Sequence, residues 1–200
     1  MGCSVKTLGL LIAIMMFFSV CTNGQEQVHI KKILIVYLSR TNNTKAVAEI
    51  IHQQVGGKLV ALELQNPYPE NYKATVNKVA KENGMFYLPL LKTKVDNVDQ
   101  YDIIFIGFPT WGMQLPPPMK SFLHQYDLAG KTIIPFNTNA GYGIGSTFQT
   151  VRTLCPKSKV LDGFTVTGGI ERDRQLLVIK GDYEIKVQAD VKKWLAKLPL

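Results

Sequence analysis

The chain has 200 residues, 46% of them hydrophobic, and a formal net charge of +8. That length suits one domain with a substantial core. Its basic residues form short pairs (Lys157/Lys159, Arg172/Arg174, Lys192/Lys193) rather than a stripe interleaved with aromatics, which argues against nucleic acid and for acidic proteins, anionic small molecules or lipid headgroups as partners.

The first segment is read as a leader. Lys6 precedes an apolar run over residues 8–20, too short for a comfortable membrane span, and small and polar residues follow at 21–24. This is the outline of a signal peptide or lipoprotein leader over 1–24, with the folded domain expected over 30–200. Three processing routes stay open: lipidation of Cys21, ordinary cleavage after Gly24, and an uncut signal anchor. The expectation is an exported protein, periplasmic or membrane-anchored facing the periplasm, with membrane attachment through a lipidated Cys21. Of the three cysteines, Cys3 and Cys21 fall in the leader. The mature chain then has no intramolecular disulfide and no C-x-x-C motif. Cys155, just before Pro156, reads as a buried, inert thiol. His29, His52 and His124 show no ligand spacing, so no metal site is expected.

Beyond the leader, strand and helix signals alternate. A strand over 32–38 leads to a helix over 43–55 with the stripe Val47, Ile50, Ile51 and Val55, stopped by Gly56-Gly57. A short strand over 59–64 follows, then a helix over 71–83 expected to pack Tyr72, Val76, Val79 and Ala80 on one face. Residues 103–108 are apolar throughout, as in a strand covered on both faces. Pro116-Pro117-Pro118 opens a helix with the stripe Met119, Phe122, Leu123 and Tyr126. A fourth strand spans 132–137, and Ser146 is expected to cap the next helix. A fifth strand spans 160–167, and the last helix carries Val187, Val191, Trp194, Leu195 and Leu198. Five strands alternating with helices imply a five-stranded parallel sheet in a three-layer open α/β sandwich. Ligands in such sheets sit beyond the strands' C-terminal ends, so the loops after strands one, three and four hold the candidate site.

The first loop is Ser39-Arg40-Thr41-Asn42-Asn43-Thr44. Small hydroxyl and amide residues at a helix N-terminus offer donors where the helix dipole favours a phosphate. Neither G-x-G-x-x-G nor G-x-x-x-x-G-K-[ST] occurs there, which disfavours dinucleotide and ATP binding. Ser39 and Pro109 stand where a phosphoacceptor receiver domain needs carboxylates. The second loop, Pro109-Thr110-Trp111-Gly112-Met113 and onward to Pro116, places a tryptophan where its face can meet a planar ring or simply pack on the sheet. The third runs Asn137-Thr138-Asn139-Ala140-Gly141-Tyr142-Gly143 to Ser146; its glycines suit either a close approach to a ligand or a plain loop. No nucleophile elbow or Ser/His/Asp pattern supports a hydrolase or transferase.

Taken together the three loops resemble the flavodoxin family, along nearly the whole mature chain. The family's phosphate loop commonly reads T/S-x-T-G-x-T, and this chain departs from it at Asn42, where glycine is usual; asparagine tolerates a positive φ next best. The stretch Tyr101-Asp102 through Trp111 fits the motif Y-D-x-I-x-x-G-x-P-x-W. The resemblance implies a non-covalent FMN, with the residues named above from all three loops forming its site. Ser39, Thr41, Asn43 and Thr44 would grip the phosphate, Trp111 and Tyr142 would flank the isoalloxazine ring, and backbone around Gly112 and Gly141 would meet its polar edge. No catalytic acid or base is needed, because the cofactor carries the electrons.

The implied function is electron transfer with redox partner proteins. Two alternatives stand beside it: a small FMN-dependent reductase using NAD(P)H or quinone-like molecules, and an adaptor that has lost its cofactor. The three loops contain no Asp or Glu, and Arg40 adds positive charge. That combination predicts a less negative potential for the second electron than a typical flavodoxin's. Glu171 and Asp173, in the segment after the fifth strand, can reverse this.

Overall fold

The computed structural model describes residues 1–2 and 30–200 of the chain. By its contacts the chain divides into Met1–Ile30 and Lys31–Leu200, and only the second is described below. The leader read over 1–24 lies almost wholly outside the described residues.

Six parallel strands form the sheet: β1 (Ile33–Tyr37), β2 (Lys58–Ala61), β3 (Ile103–Pro109), β4 (Thr132–Asn139), β5 (Lys159–Val160) and β6 (Phe164–Thr167). The order is β2-β1-β3-β4-β5, with β6 also pairing β4. Five helices cover it: α1 (Asn43–Val55), α2 (Tyr72–Gly84), α3 (Pro117–Gln125), α4 (Thr147–Leu154) and α5 (Asp182–Leu195).

Alternation along the central strands builds two cores, one on each face. Ile35, Ile103, Phe105, Ile134 and Phe136 face Val47, Ile50, Ile51, Val187 and Val191 of α1 and α5. Leu34, Val36, Ile104, Ile106, Phe108 and Ile133 face Met119, Phe122, Phe148 and Val151 of α3 and α4. The result is a three-layer α/β sandwich. Gly107 is needed for one of these layers, since a Cβ there would lie 2.1 Å from the Phe136 ring.

Three expectations need correction. The expected single fifth strand is two. Ile133 pairs with Val160 and Phe136 with Phe164, so three steps on β4 match four on the partner. The extra residue is a bulge that splits the strand at 161–163. Helix α2 buries only Val79 of its expected stripe: Tyr72, Val76 and Ala80 are exposed, while Thr75 and Glu82 are buried beside Val79. Glu82 tolerates burial because its carboxylate accepts the Tyr68 hydroxyl hydrogen bond. Finally, Ser146 takes the N-cap position but makes no side-chain cap; its hydroxyl donates to the Met113 carbonyl across the site at 3.3 Å.

The chain crosses from β1 outward to β2, then back past β1 to β3. That reversal opens a crevice at the C-terminal ends of β1 and β3, where the first two candidate loops emerge.

Candidate functional site

Asn42 occupies the N-cap of α1 with φ 62° and ψ 0°, the left-handed conformation that the sequence requires of it. Its carbonyl accepts the Ala46 N–H at 2.9 Å, which starts the helix. Ser39 Oγ accepts the Lys45 N–H at 3.2 Å and so closes the loop over the helix end. The N–H groups of Asn42, Asn43 and Thr44 make no hydrogen bond among the described residues, and the first turn of α1 has no acidic side chain. Free donors at the positive end of a helix form a cradle for an anion.

The side chains of the same loop have other work. The Asn43 carboxamide donates to Leu176 O at 2.6 Å and Thr41 Oγ1 at 2.9 Å, and accepts the N–H groups of Val178 and Ile179 at 3.0 and 3.2 Å. It is a buried tie to the segment before α5, which leaves only its backbone N–H for a ligand. Thr44 Oγ1 shares a buried 2.8 Å hydrogen bond with Thr138 Oγ1.

Arg40 is held from three sides. Its Nε donates to both Glu171 carboxylate oxygens at 2.8 and 2.9 Å, Nη1 to Pro69 O at 3.0 Å and Nη2 to Glu70 O at 2.7 Å. The pairing sets a carboxylate against the only charge in the first loop: the three loops themselves hold no Asp or Glu, but Glu171, one of the two residues expected to be able to reverse the argument, stands against Arg40. Glu171 lies in a 3₁₀ turn, Glu171–Asp173, after β6. The sequence did contain a signal for it, since this segment leaves the sheet on the ligand side.

After β3, Trp111 and Gln114 bridge each other through Gly112 and Met113, both with positive φ (55° and 60°), as a type I′ turn demands. The Trp111 indole packs edge-on against Tyr68, with ring centroids 5.4 Å apart. The turn is tied to the third loop where Met113 O accepts the Ser146 N–H at 2.9 Å. Gly145 makes that approach possible, because a Cβ on it would lie 2.1 Å from Met113 O.

Asn137, Thr138 and Asn139 belong to β4, not to the loop after it. Asn137 is fully buried, its carboxamide bonded to Phe108 O at 3.0 Å and Thr110 Oγ1 at 3.0 Å. It positions Thr110 and cannot itself reach a ligand. Asn139 Oδ1 accepts the Gly141 and Gly143 N–H groups at 2.9 and 3.1 Å, an Asx turn that shapes the glycine loop. Tyr142, 67% exposed, stands at its tip.

Three connected hollows lie along these loops. One of about 120 Å³ is lined by Thr41, Asn43, Thr44, Pro109, Thr138 and Ala140, among others. A second of about 500 Å³ opens between Thr110, Gly112 and Met113 on one side and Asn139, Ala140, Tyr142 and Gly143 on the other. A third of about 420 Å³ lies between α2 and Trp111. The site therefore offers a small anion cradle leading into a slot between two loops. Tyr72 and Glu171 line all three, and neither was among the residues expected to bind a cofactor. Asn42 lines none of the three; its part is the backbone turn.

Residues 32–179 match the family model described as flavodoxin. The chain belongs to the flavodoxin family. A flavodoxin from Synechocystis sp. is 26% identical over 161 residues, which cover 76% of this chain and 81% of that protein. A candidate flavoprotein from Bacteroides eggerthii is 25% identical with a TM-score of 0.68, over 86% of this chain and 99% of the other. A flavoprotein from Lactobacillus acidophilus, solved in complex with FMN, shares the fold at 22% identity and a TM-score of 0.62, over 68% and 93% of the two chains. In this flavodoxin the first loop keeps its turn without the usual glycine. Cys155 is buried and its thiol pushed up to about 11 by burial, so it stays protonated at neutral pH. Among the described residues no group of His, Cys, Asp and Glu could hold a metal ion.

Proposed function

We propose that this flavodoxin binds FMN without a covalent bond and carries electrons between redox partner proteins. One observation carries the reading: the start of α1, with its unpartnered N–H groups, borders the small hollow, which shares Thr110, Asn139 and Ala140 with the slot between the second and third loops. A phosphate and a planar ring joined by a short polar chain match that arrangement. The backbone N–H groups of Asn43 and Thr44 would hold the phosphate, with the Thr41 hydroxyl beside them and the turn at Asn42 presenting them. Met113 and the Tyr142 ring would bound the flat slot, and the tie between Met113 and Ser146 would fix its width. Bound there, FMN supplies one- and two-electron redox chemistry; the chain supplies no acid or base and sets only the polarity around the ring. Export through the leader, with or without a lipid on Cys21, belongs to the same proposal. Mass spectrometry of the mature N-terminus distinguishes cleavage after Gly24 from lipidation.

The decisive test is an absorbance spectrum of the protein after incubation with FMN and desalting. Retained bands near ~370 and ~450 nm are expected. A colourless protein that also leaves FMN fluorescence unquenched would overturn the reading in favour of a cofactor-less adaptor. The cavity between α2 and Trp111 favours a second role, a small reductase with room for an acceptor beside the ring. Steady oxidation of NAD(P)H by a quinone would identify that role.

A further inference from the structure

We infer that residues 85–90 form a docking loop for a bilayer rich in anionic lipid, with Phe86 as its anchor. Helix α2 ends in a Schellman motif: the Tyr87 N–H donates to Glu82 O at 2.9 Å and the Phe86 N–H to Asn83 O at 3.3 Å. That motif puts its penultimate residue in the left-handed region, where glycine is the usual occupant. Here it is a phenylalanine, with φ 51°. A bulky aromatic in that conformation is strained. Phe86 is 90% exposed, so packing inside the domain does not offset the strain. Its neighbours repeat the pattern: Met85 is 65% and Leu90 63% exposed, and Tyr87 and Leu88 are exposed as well. Single exposed apolar side chains are ordinary, but five within six residues, interrupted only by the buried Pro89, mark an interaction surface.

Charge selects the occupant. No Asp or Glu occurs between Asn83 and Val95, while Lys81, Lys92 and Lys94 flank the loop and are exposed. Lys92 pairs with Glu63 at 2.8 Å; Lys81 and Lys94 make no ion pair among the described residues. The nearest carboxylate in sequence, Glu82, is buried under Tyr68. An apolar loop flanked in sequence by the unpaired Lys81 and Lys94 matches acyl chains beneath anionic headgroups. A protein partner would need a hollow shaped to these exposed side chains, whereas a bilayer interface accommodates them without one.

The full-length chain has two tryptophans, Trp111 and Trp194, and none in its first 30 residues. The F86W variant is therefore tested against the wild type in vesicles whose acyl chains are brominated. The vesicles contain about one-third phosphatidylglycerol in phosphatidylcholine. The indole of F86W should be quenched by roughly twofold or more beyond the wild-type signal, and the difference should collapse in ~0.5 M salt. Introducing Lys81→Glu and Lys94→Glu into that variant should abolish the excess quenching. Phe86→Gly should raise Tm, because it removes the strain without removing a contact. No excess quenching of F86W, while the chain still floats with the vesicles through its N-terminal run, would overturn the assignment. So would equal quenching on purely zwitterionic vesicles, or a fall in Tm for Phe86→Gly. Cross-linking of the loop to an acidic redox protein without lipid quenching assigns the surface to a protein and overturns it too.

Discussion

At Asn42 the backbone sits at φ 62°, a conformation that costs most L-residues about 1–2 kcal/mol but that asparagine enters readily. The free N–H groups behind it point outward only while the chain makes this turn. Asn42→Gly should therefore keep the fold and FMN retention, while Asn42→Val should lower unfolding free energy by about 1–2 kcal/mol and weaken FMN retention with it. Urea unfolding and FMN fluorescence titration read the two effects, and an N42V protein that binds FMN normally would break the link between turn and cradle. Tyr68 makes a second case at this scale. Burial first, and the Glu82 carboxylate second, push its phenol well above the usual 10.0. Folding thus favours the protonated phenol: the stability it adds is complete below about pH 10 and is lost as pH rises beyond that value. At pH 7, Tyr68→Phe leaves the buried Glu82 carboxylate without its donor and should cost about 1–3 kcal/mol. Above pH 10 the gap between Y68F and the parent should narrow in chemical denaturation. A constant gap across that range would place the effect in packing against Trp111 instead.

At the scale of the element, periodicity carried most of the fold. Helix α1 was legible end to end from its apolar spacing and its stop at Gly56-Gly57, and it spans Asn43–Val55 as expected. Strands β1 and β3 were legible because both faces are covered, so their runs are unbroken. The misreadings have physical causes. Tyr72 and Val76 have core-like spacing but line the cavity beside Trp111, and periodicity does not distinguish a core from a hollow. Val160 and Phe164 look continuous because a bulge inserts a residue without changing composition. Asn137 was read as a site residue because it opens the third loop of the resemblance; its place inside β4 and its pairing with Phe108 O across the strands are long-range facts. Glu171 was named as a possible influence, yet its match with Arg40 spans 131 positions and no local pattern records it. Gly107 gives an element-scale prediction. In Gly107→Ala the new methyl meets the Phe136 ring, and overpacking of this kind costs about 1–3 kcal/mol. A thermal melt should show the loss, and combining the change with Phe136→Leu should recover part of it.

For the whole molecule, the Arg40–Glu171 pair decides the electrostatics that the net charge of +8 does not. Glu171 lines the ring slot, and the guanidinium beside it cancels its charge. Glu171→Gln leaves Arg40 unopposed and should make the midpoint potential of the FMN-loaded protein more positive, by about 30–60 mV for a one-electron step. Arg40→Gln should shift it the other way. Potentiometric titration of both variants checks this, and shifts of the same sign would show that something other than charge governs. Asn43 bears on when the site comes into being. Its carboxamide joins the first loop to residues 133, 135 and 136 positions further along the chain. On a ribosome the phosphate loop emerges early, but the groups that hold it in place are among the last to be made. Until they arrive the loop lacks its brace, and closing so long a stretch of chain is slow in itself. The cradle is thus completed only after synthesis of nearly the whole domain, and cofactor capture falls at the end of folding, wherever in the cell folding is finished.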